Sequence, residues 1–481
     1  MKSVLLLMIL ASAILVSADG FAQVEPKRFA LIIGANLSVD KDLAPLRFAD
    51  DDAARYFDLF KLLGVKTLLL ADIDADTKRL HPEASAAAKE ATKGALYSAV
   101  EALRVEVKEA KEAGSPTEVH VIFAGHGNRN GTQGYLTLRD LRLTGTQFFD
   151  DVVLAIDADK SHVVIDACYS FLLTYERGPG GRRREVHRFS TLSRLAERNV
   201  GVMLSTSSAA RSHEWSAVSS GVFSHGVRSG MYGGADVNLD GKITYRELAA
   251  FVFIANQAID NPNYRPQIFV QPTSGGPEDG FITLNPMVGQ RHIVLNSGGH
   301  FSLETEKGVR LLDVHAAEDQ KVRLIYPSDE LLFLQPMANA TEASASAYRI
   351  PPQQGVVELL ELKQDGVLAA ARGASSQSFE VLFKKPSDAG EAANFSFVDV
   401  AFPDEPPYVP TPGEAALWSL ALPGMRQRLQ GRSGAGWLAL SGVAGLGVVT
   451  LALGGTAVAL NVGSSQVTLG GGTWVNMGEH G

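Results

Sequence analysis

Two stretches decide how this chain is read: Val119-His120-Val121-Ile122-Phe123-Ala124-Gly125-His126-Gly127 and His162-Val163-Val164-Ile165-Asp166-Ala167-Cys168-Tyr169-Ser170. Each begins as a short, almost unbroken apolar run and ends in polar or reactive side chains. Runs of this kind, bounded by turn signals, read as strands buried on both faces, the pattern of a parallel sheet covered by helices. In the first stretch a histidine stands between two glycines, which let the backbone turn sharply and leave the imidazole open. In the second, Cys168, the one cysteine of the chain, follows its strand closely.

Further runs lie at Phe29–Ile33, Val65–Leu70 and Val200–Leu204, and amphipathic segments at Ala49–Leu63, Ala86–Ala113 and Tyr245–Ala258 separate them. Residues 28–275 therefore read as an α/β unit with a mainly parallel sheet flanked by helices. Functional loops of such sheets gather at the carboxyl ends of the strands. Neighbouring strands would bring His126 and Cys168 side by side there. A thiol next to an imidazole is an activated nucleophile: the thiolate attacks, and the imidazole later protonates a leaving amine. The backbone N–H groups of Gly127 and Cys168 are candidate donors to an oxyanion. This chemistry requires no cofactor. The bland alternative is a small buried cysteine and a loop histidine. His120 and His162 lie within their strands and read as structural.

The chain has 481 residues, 45% apolar and 20% charged, with net charge −9. That length calls for two or three domains. The acidic balance argues against nucleic acid as a partner, because phosphate contacts need clustered Lys and Arg. A single thiol forms no intrachain disulfide.

A strand ending Ala-Gly-His-Gly, followed by a strand ending Asp-x-Cys, resembles the caspase-like cysteine peptidases, and the order of histidine before cysteine matches that family. Animal caspases carry Gln where this chain has Asp166 and usually Arg where it has Tyr169, so the chain is closer to metacaspases and bacterial caspase-like proteins. Phe29-Ala30-Leu31-Ile32-Ile33-Gly34-Ala35-Asn36 resembles the family's first strand, and Leu46 to Phe57, with Asp52-Ala53, its first helix. Ser205 to Phe223 resembles the loop that closes the substrate cleft, followed by Ser224-His225-Gly226. The resemblance implies a cysteine endopeptidase acting on polypeptides, with His126 and Cys168 as its dyad. A carboxylate two residues before the nucleophile can lie at the base of the first substrate pocket and pair with Arg or Lys. Relatives with Asp at the Asp166 position cut after basic residues, and Asp52 is a weaker candidate for the same pocket. A loop cap is the plain alternative for Asp166.

Two further motifs stand out. Asp236-Val237-Asn238-Leu239-Asp240-Gly241-Lys242-Ile243-Thr244-Tyr245-Arg246-Glu247 fits a twelve-residue calcium loop. Asp236, Asn238 and Asp240 supply oxygens at positions one, three and five, the Lys242 carbonyl at seven and Glu247 at twelve, with Gly241 at the turn. One loop is visible, and no clear helix is read as leading into it. An ion site and a rigid turn that needs no ion both stay open. Some metacaspases need calcium, so the resemblance admits a regulatory role. Residues 177–188, Arg-Gly-Pro-Gly-Gly-Arg-Arg-Arg-Glu-Val-His-Arg, form a flexible basic loop that such an enzyme could cut in itself.

Beyond this unit, Arg291–Leu295, Val309–Val314, Lys321–Tyr326, Leu331–Leu334, Gly355–Leu362 and Phe379–Phe383 are short runs between turn signals. They read as a small antiparallel, sandwich-like β domain over 285–402, a candidate surface for a protein partner. A Pro-rich linker follows at 403–436. The first residues combine Lys2, an apolar run from Val4 to Val16 and small residues, which reads as a signal peptide over 1–18, with an uncleaved anchor as the alternative. The uncharged segment 437–460 is long enough to cross a bilayer, although Arg426, Arg428 and Arg432 precede it against the usual charge bias; a buried hairpin is the alternative. The expectation is an exported, periplasmic or extracytoplasmic protein anchored to a membrane. Two rival functions stay open: an inactive scaffold keeping the same fold, and a calcium-dependent binding protein at the membrane surface.

Overall fold

The computed structural model describes residues 25–395, apart from 131–132, 175–184, 207–213, 216–218, 258, 260–264, 285–291, 328, 338–346, 353–354, 360–381 and 384, together with 458–461, 466–469 and 473–476. The signal segment 1–18, the linker 403–436, most of the basic loop 177–188 and most of 437–460 lie outside these residues. The last part of that uncharged segment falls in a strand, Val458–Asn461, which pairs antiparallel with Gln466–Leu469, itself paired with Thr473–Asn476. Among the described residues no helix is long and apolar enough to cross a membrane.

A six-stranded sheet organises the first part of the chain. Its strands are β1 (Lys27–Ala35), β2 (Lys66–Ala71), β3 (Thr117–Gly125), β4 (Lys160–Asp166), β5 (Val200–Thr206) and β6 (Gln267–Gln271), in the order β6-β5-β4-β3-β1-β2. All neighbours are parallel except β6, which runs antiparallel to β5. The near-continuous apolar runs have their physical reason here, because both faces are covered. Ala30, Ile32, Ile122, Val164 and Met203 face one side, against α1 (Ala49–Leu62), α4 (Val222–Ser229) and α5 (Tyr245–Gln257). Leu31, Ile33, Val121, Phe123, Val163 and Ile165 face the other, against α2 (Lys93–Glu112) and α3 (Glu185–Glu197).

The predicted amphipathic segment Ala86–Ala113 is corrected. A short helix, Pro82–Ala87, ends there, and the main helix starts anew after Thr92, whose side chain caps it by accepting from the Ala95 N–H. Between the two, Lys89 bridges to Leu70 at the sheet edge.

Among the described residues between 292 and 358 lie one group of three strands and one of four. Val322–Ile325, His292–Leu295 and Val356–Glu358 form the first; Arg310–Ala316, Gly299–Thr305, Leu332–Pro336 and Tyr348–Ile350 form the second. One pair departs from the expected antiparallel arrangement: His292–Leu295 runs parallel to Val356–Glu358. The central strand Gly299–Thr305 escapes a search for apolar runs because it alternates, with Phe301, Leu303 and Thr305 buried and polar residues between them. Ile293, Leu303, Leu312 and Leu324 join the same apolar core as α1, α4 and α5, so these strands pack on the face that carries α4.

Candidate active site

The carboxyl ends of β3 and β4 carry the two residues singled out above. The register pairs Phe123 with Ile165 and Ala124 with Asp166, so His126 and Cys168 lie the same distance past adjacent parallel strands. Direct backbone contact joins the two segments. A Cβ placed on Gly127 would lie 2.9 Å from the Cys168 carbonyl carbon, closer still to its oxygen, and 3.2 Å from Ala167 Cβ. Gly127 is thus glycine because another backbone passes where a side chain would start. Cys168 is reduced and partly exposed. Tyr169, next in sequence, has a left-handed backbone, φ 55°, a conformation costly for a residue with a side chain; it turns the chain immediately after the thiol. Arg129 stacks its guanidinium over the Tyr169 ring at 5.0 Å, tying this turn to the hairpin that follows His126.

The His126 imidazole is held by its far nitrogen. Nε2 lies 2.9 Å from the Ala44 carbonyl oxygen. A carbonyl only accepts, so Nε2 carries the proton and the neutral ring keeps its lone pair on Nδ1. Burial lowers the imidazole pKa, opposed by the Ala44 carbonyl and by Asp40. Asp40 organises the surrounding loops. It accepts hydrogen bonds from Asn128 Nδ2 at 2.9 Å and the Tyr135 hydroxyl at 2.8 Å, and it pairs with Arg142. Burial works against its charge, but these partners hold its carboxyl below the usual range. Neither Ala44 nor Asp40 was identified from the sequence. A carbonyl has no sequence signal, and Asp40 sits in a loop without a motif.

Asp166 and Asp52 do come together, on either side of Gly221. A Cβ on Gly221 would lie 2.5 Å from Asp166 Oδ2 and 3.3 Å from Asp52 Oδ2. Their partners differ. Asp52 accepts from Arg228 Nη1 at 2.7 Å, the Ser220 hydroxyl at 2.5 Å and the Gly221 N–H at 2.8 Å. Arg228 is completely buried and also reaches Ser220. Asp52 is therefore an internal counter-ion that holds residues 220–221 in place. Asp166 accepts only from Ser224 among the described residues, through its hydroxyl at 2.7 Å and its N–H at 3.1 Å, both to Oδ2. Burial, and then Asp52, push the Asp166 carboxyl up to about 6, against the pull of Ser224 and Arg228. Ser224 and Arg228 fall four apart on α4 and face the two carboxylates together, a spacing visible in the sequence once the helix is known.

The segment leading into this corner is stapled to the start of α1. Glu214 accepts from the Arg47 and Phe48 N–H groups at 2.9 Å, and Asn36 Oδ1 from Ala49 and Asp50 at 2.9 and 3.2 Å. A carboxylate and an amide oxygen thus satisfy the N–H groups that a helix start leaves open. Arg55, buried in α1, donates to the Ser219 carbonyl at 2.7 Å. The residues just before α1 thus hold Glu214, while Arg55 and Asp52 of α1 hold Ser219, Ser220 and Gly221.

His120 and His162 behave as structural residues. They stack with ring centres 4.6 Å apart, fully buried in the register His120–His162. His120 Nε2 bonds the Phe281 carbonyl; His162 is bracketed by Glu118 at 2.8 Å and the Tyr245 hydroxyl at 2.6 Å. Burial drives His120 down to about 3, which keeps it neutral.

The calcium-type loop is a helix–loop–helix, which corrects the reading that no helix leads in. Helix α4 leads into a wound turn, Gly230–Gly234, kinked at Gly233, whose φ of 113° is not helical; Asp236 follows two residues after that turn, and α5 leaves from Tyr245. Asp236, Asn238, Asp240, Lys242 and Glu247 all belong to the loop, but among the described residues no three His, Cys, Asp or Glu side chains converge closely enough to grip a metal in this conformation.

No family model matches the chain, and no curated protein matches it either. Among solved structures it is similar to caspase-1 from Spodoptera frugiperda, at 13% identity and a TM-score of 0.32, over 52% of this chain and 88% of that one.

Proposed function

We propose that this chain is a cysteine endopeptidase that cleaves polypeptides after Arg or Lys. One observation supports it above all. The segment bearing the chain's only thiol touches the residue next to His126, and that histidine is tethered through Nε2, so that its free lone pair is on Nδ1. In the proposed reaction Nδ1 accepts the Cys168 proton and the sulfur attacks the scissile carbonyl carbon. The carbonyl oxygen becomes an oxyanion, which the Gly127 and Cys168 N–H groups stabilise. The C–N bond breaks as the imidazolium gives its proton to the leaving amine. Water, deprotonated by His126, then cleaves the thioester and restores the thiol.

Specificity follows from the unequal carboxylates. Arg228 neutralises Asp52, whereas Asp166 meets no cation at hydrogen-bonding distance among the described residues. A substrate guanidinium or ammonium would supply that missing charge. The reading includes an exported enzyme held at a membrane by residues 437–460, for which the sequence is the support.

Fluorogenic peptides with Arg, Lys or Asp before the scissile bond test the proposal on the full chain. Hydrolysis of the Arg and Lys peptides, lost in Cys168→Ala, is expected. Preference for Asp removes the specificity assignment. No hydrolysis of any peptide, or undiminished hydrolysis in Cys168→Ala, removes the enzyme and favours a scaffold.

A further inference from the structure

The loop Asp236–Glu247 carries an inference independent of the peptidase reading. Its backbone is already wound. Leu239 and Gly241, at positions four and six, take left-handed φ values of 60° and 79°. Side-chain oxygens are held by the loop's own amides: Asp236 Oδ2 accepts from Gly241 N–H at 3.1 Å, Asn238 Oδ1 from Asp240 N–H at 2.9 Å, and Asp240 Oδ1 from Lys242 N–H at 2.7 Å.

A second observation asks for a ligand. Asp236 is 2% exposed and Glu247 6% exposed, and among the described residues each leaves one carboxylate oxygen buried with no hydrogen-bond partner, Asp236 Oδ1 and Glu247 Oε1. These are the first and last positions of the twelve. Buried carboxylate oxygens normally find a donor or a cation. Among the described residues the two oxygens, at the two ends of one loop, have no donor, and Arg323, the cation that acts on Asp236, reaches the Leu239 carbonyl at 3.4 Å and forms no ion pair with that carboxylate.

The loop is also complete by itself. Ile243, at position eight, pairs with Ile282 in the strand Gly280–Thr283, so the chain supplies the β contact that a second loop would otherwise offer. The single copy is therefore no obstacle.

We propose that Asp236, Asn238, Asp240, the Lys242 carbonyl and Glu247 bind one calcium ion. An all-oxygen set with a carboxylate at position twelve suits a hard cation of high coordination number, and calcium tolerates it better than magnesium, which demands a tight octahedron. In the present conformation Glu247 Oε2 is held by Thr244, through its N–H at 2.9 Å and its hydroxyl at 2.8 Å. Binding turns Glu247 from Thr244 toward the loop, and both of its oxygens then meet the ion.

Isothermal titration of the full chain, freed of metal with a chelator, tests this with calcium chloride and separately with magnesium chloride. One calcium site is expected, with a dissociation constant between about 10⁻⁶ and 10⁻³ M, and magnesium at least about tenfold weaker. Calcium should also raise the melting temperature, because an ion that binds only the folded chain stabilises it. Glu247→Gln should lose the heat and the melting shift. Asp240→Asn, at an exposed position, should weaken binding while melting like the parent without metal. Absence of both signals in the parent at about 10 mM calcium, or equal binding by the parent and both variants, overturns the proposal. Equal affinity for magnesium overturns the assignment of the ion.

Discussion

Gly127→Ala probes the contact on which the proposed site depends. Gly127 is not among the glycines with left-handed φ, so alanine fits its backbone and the effect is purely steric. The new Cβ would lie 2.9 Å from the Cys168 carbonyl carbon and nearer its oxygen. Carbon atoms rest at about 3.5–4.0 Å from one another, and the oxygen contact is the tighter of the two, so the two segments must part by more than about 1 Å. Overpacking costs about 1–3 kcal/mol of stability, and more where, as here, backbone must move, so the urea unfolding shows whether the variant is folded. Catalysis is more sensitive. A shift of about 1 Å between reacting groups lowers the rate about 100-fold, equivalent to about 2.7 kcal/mol of transition-state stabilisation. The assay is kcat/KM on an arginyl fluorogenic peptide, with urea unfolding in parallel. A folded variant within about threefold of the parent would refute the reasoning, since a displacement of this size cannot leave a dyad intact.

Other outcomes follow from the carboxylate pair. With the Asp166 carboxyl at about 6, kcat/KM for arginyl peptides should rise as pH climbs through that value, while a peptide with an uncharged residue at the same position lacks this limb. The folded-state pKa lies above the usual 3.8, so Asp166 loses stability as pH rises through about 6; Asp166→Asn should therefore gain on the parent in urea unfolding at pH 7 to 8, and the gain should vanish below about pH 4. Arg228→Met strands the buried Asp52 carboxylate and should cost about 3–5 kcal/mol in the same measurement; a loss below about 1 kcal/mol would mean that Asp52 has another counter-charge. Gly221→Ala, which presses a methyl group on Asp166 Oδ2, should raise KM for arginyl peptides more than it lowers kcat; the reverse split would place Gly221 away from substrate.

The parallel sheet was legible because burial on both faces leaves a strong mark: Phe29–Ile33, Val119–Phe123 and Val200–Leu204 lie within observed strands. Gly299–Thr305 was not, because polar residues alternate with its apolar ones, Ser302 among them although it too is buried, and such a run resembles loop sequence locally. His126, Cys168, Asp166 and Asp52 could be singled out as candidates since each stands in or beside a strand or helix that announces itself. What could not be read was division of labour. Both carboxylates look alike in sequence, and only the approach of Arg228 from α4 makes Asp52 an internal ion pair. The Ala44 carbonyl that orients His126 is backbone, which any residue supplies. The helix entering the calcium-type loop was hidden by Gly230, Gly233 and Gly234, poor helix formers; Gly233 in fact breaks the winding with a φ of 113°, which favours glycine.

The central claim is that Cys168 acts as a nucleophile through His126. A thiol-directed peptide probe ending in arginine, followed by intact-mass analysis of the full chain, measures this directly. A single adduct on Cys168 is expected, absent in Cys168→Ala and formed at least about 100-fold more slowly in His126→Ala. Labelling of the parent no faster than that of His126→Ala would contradict it.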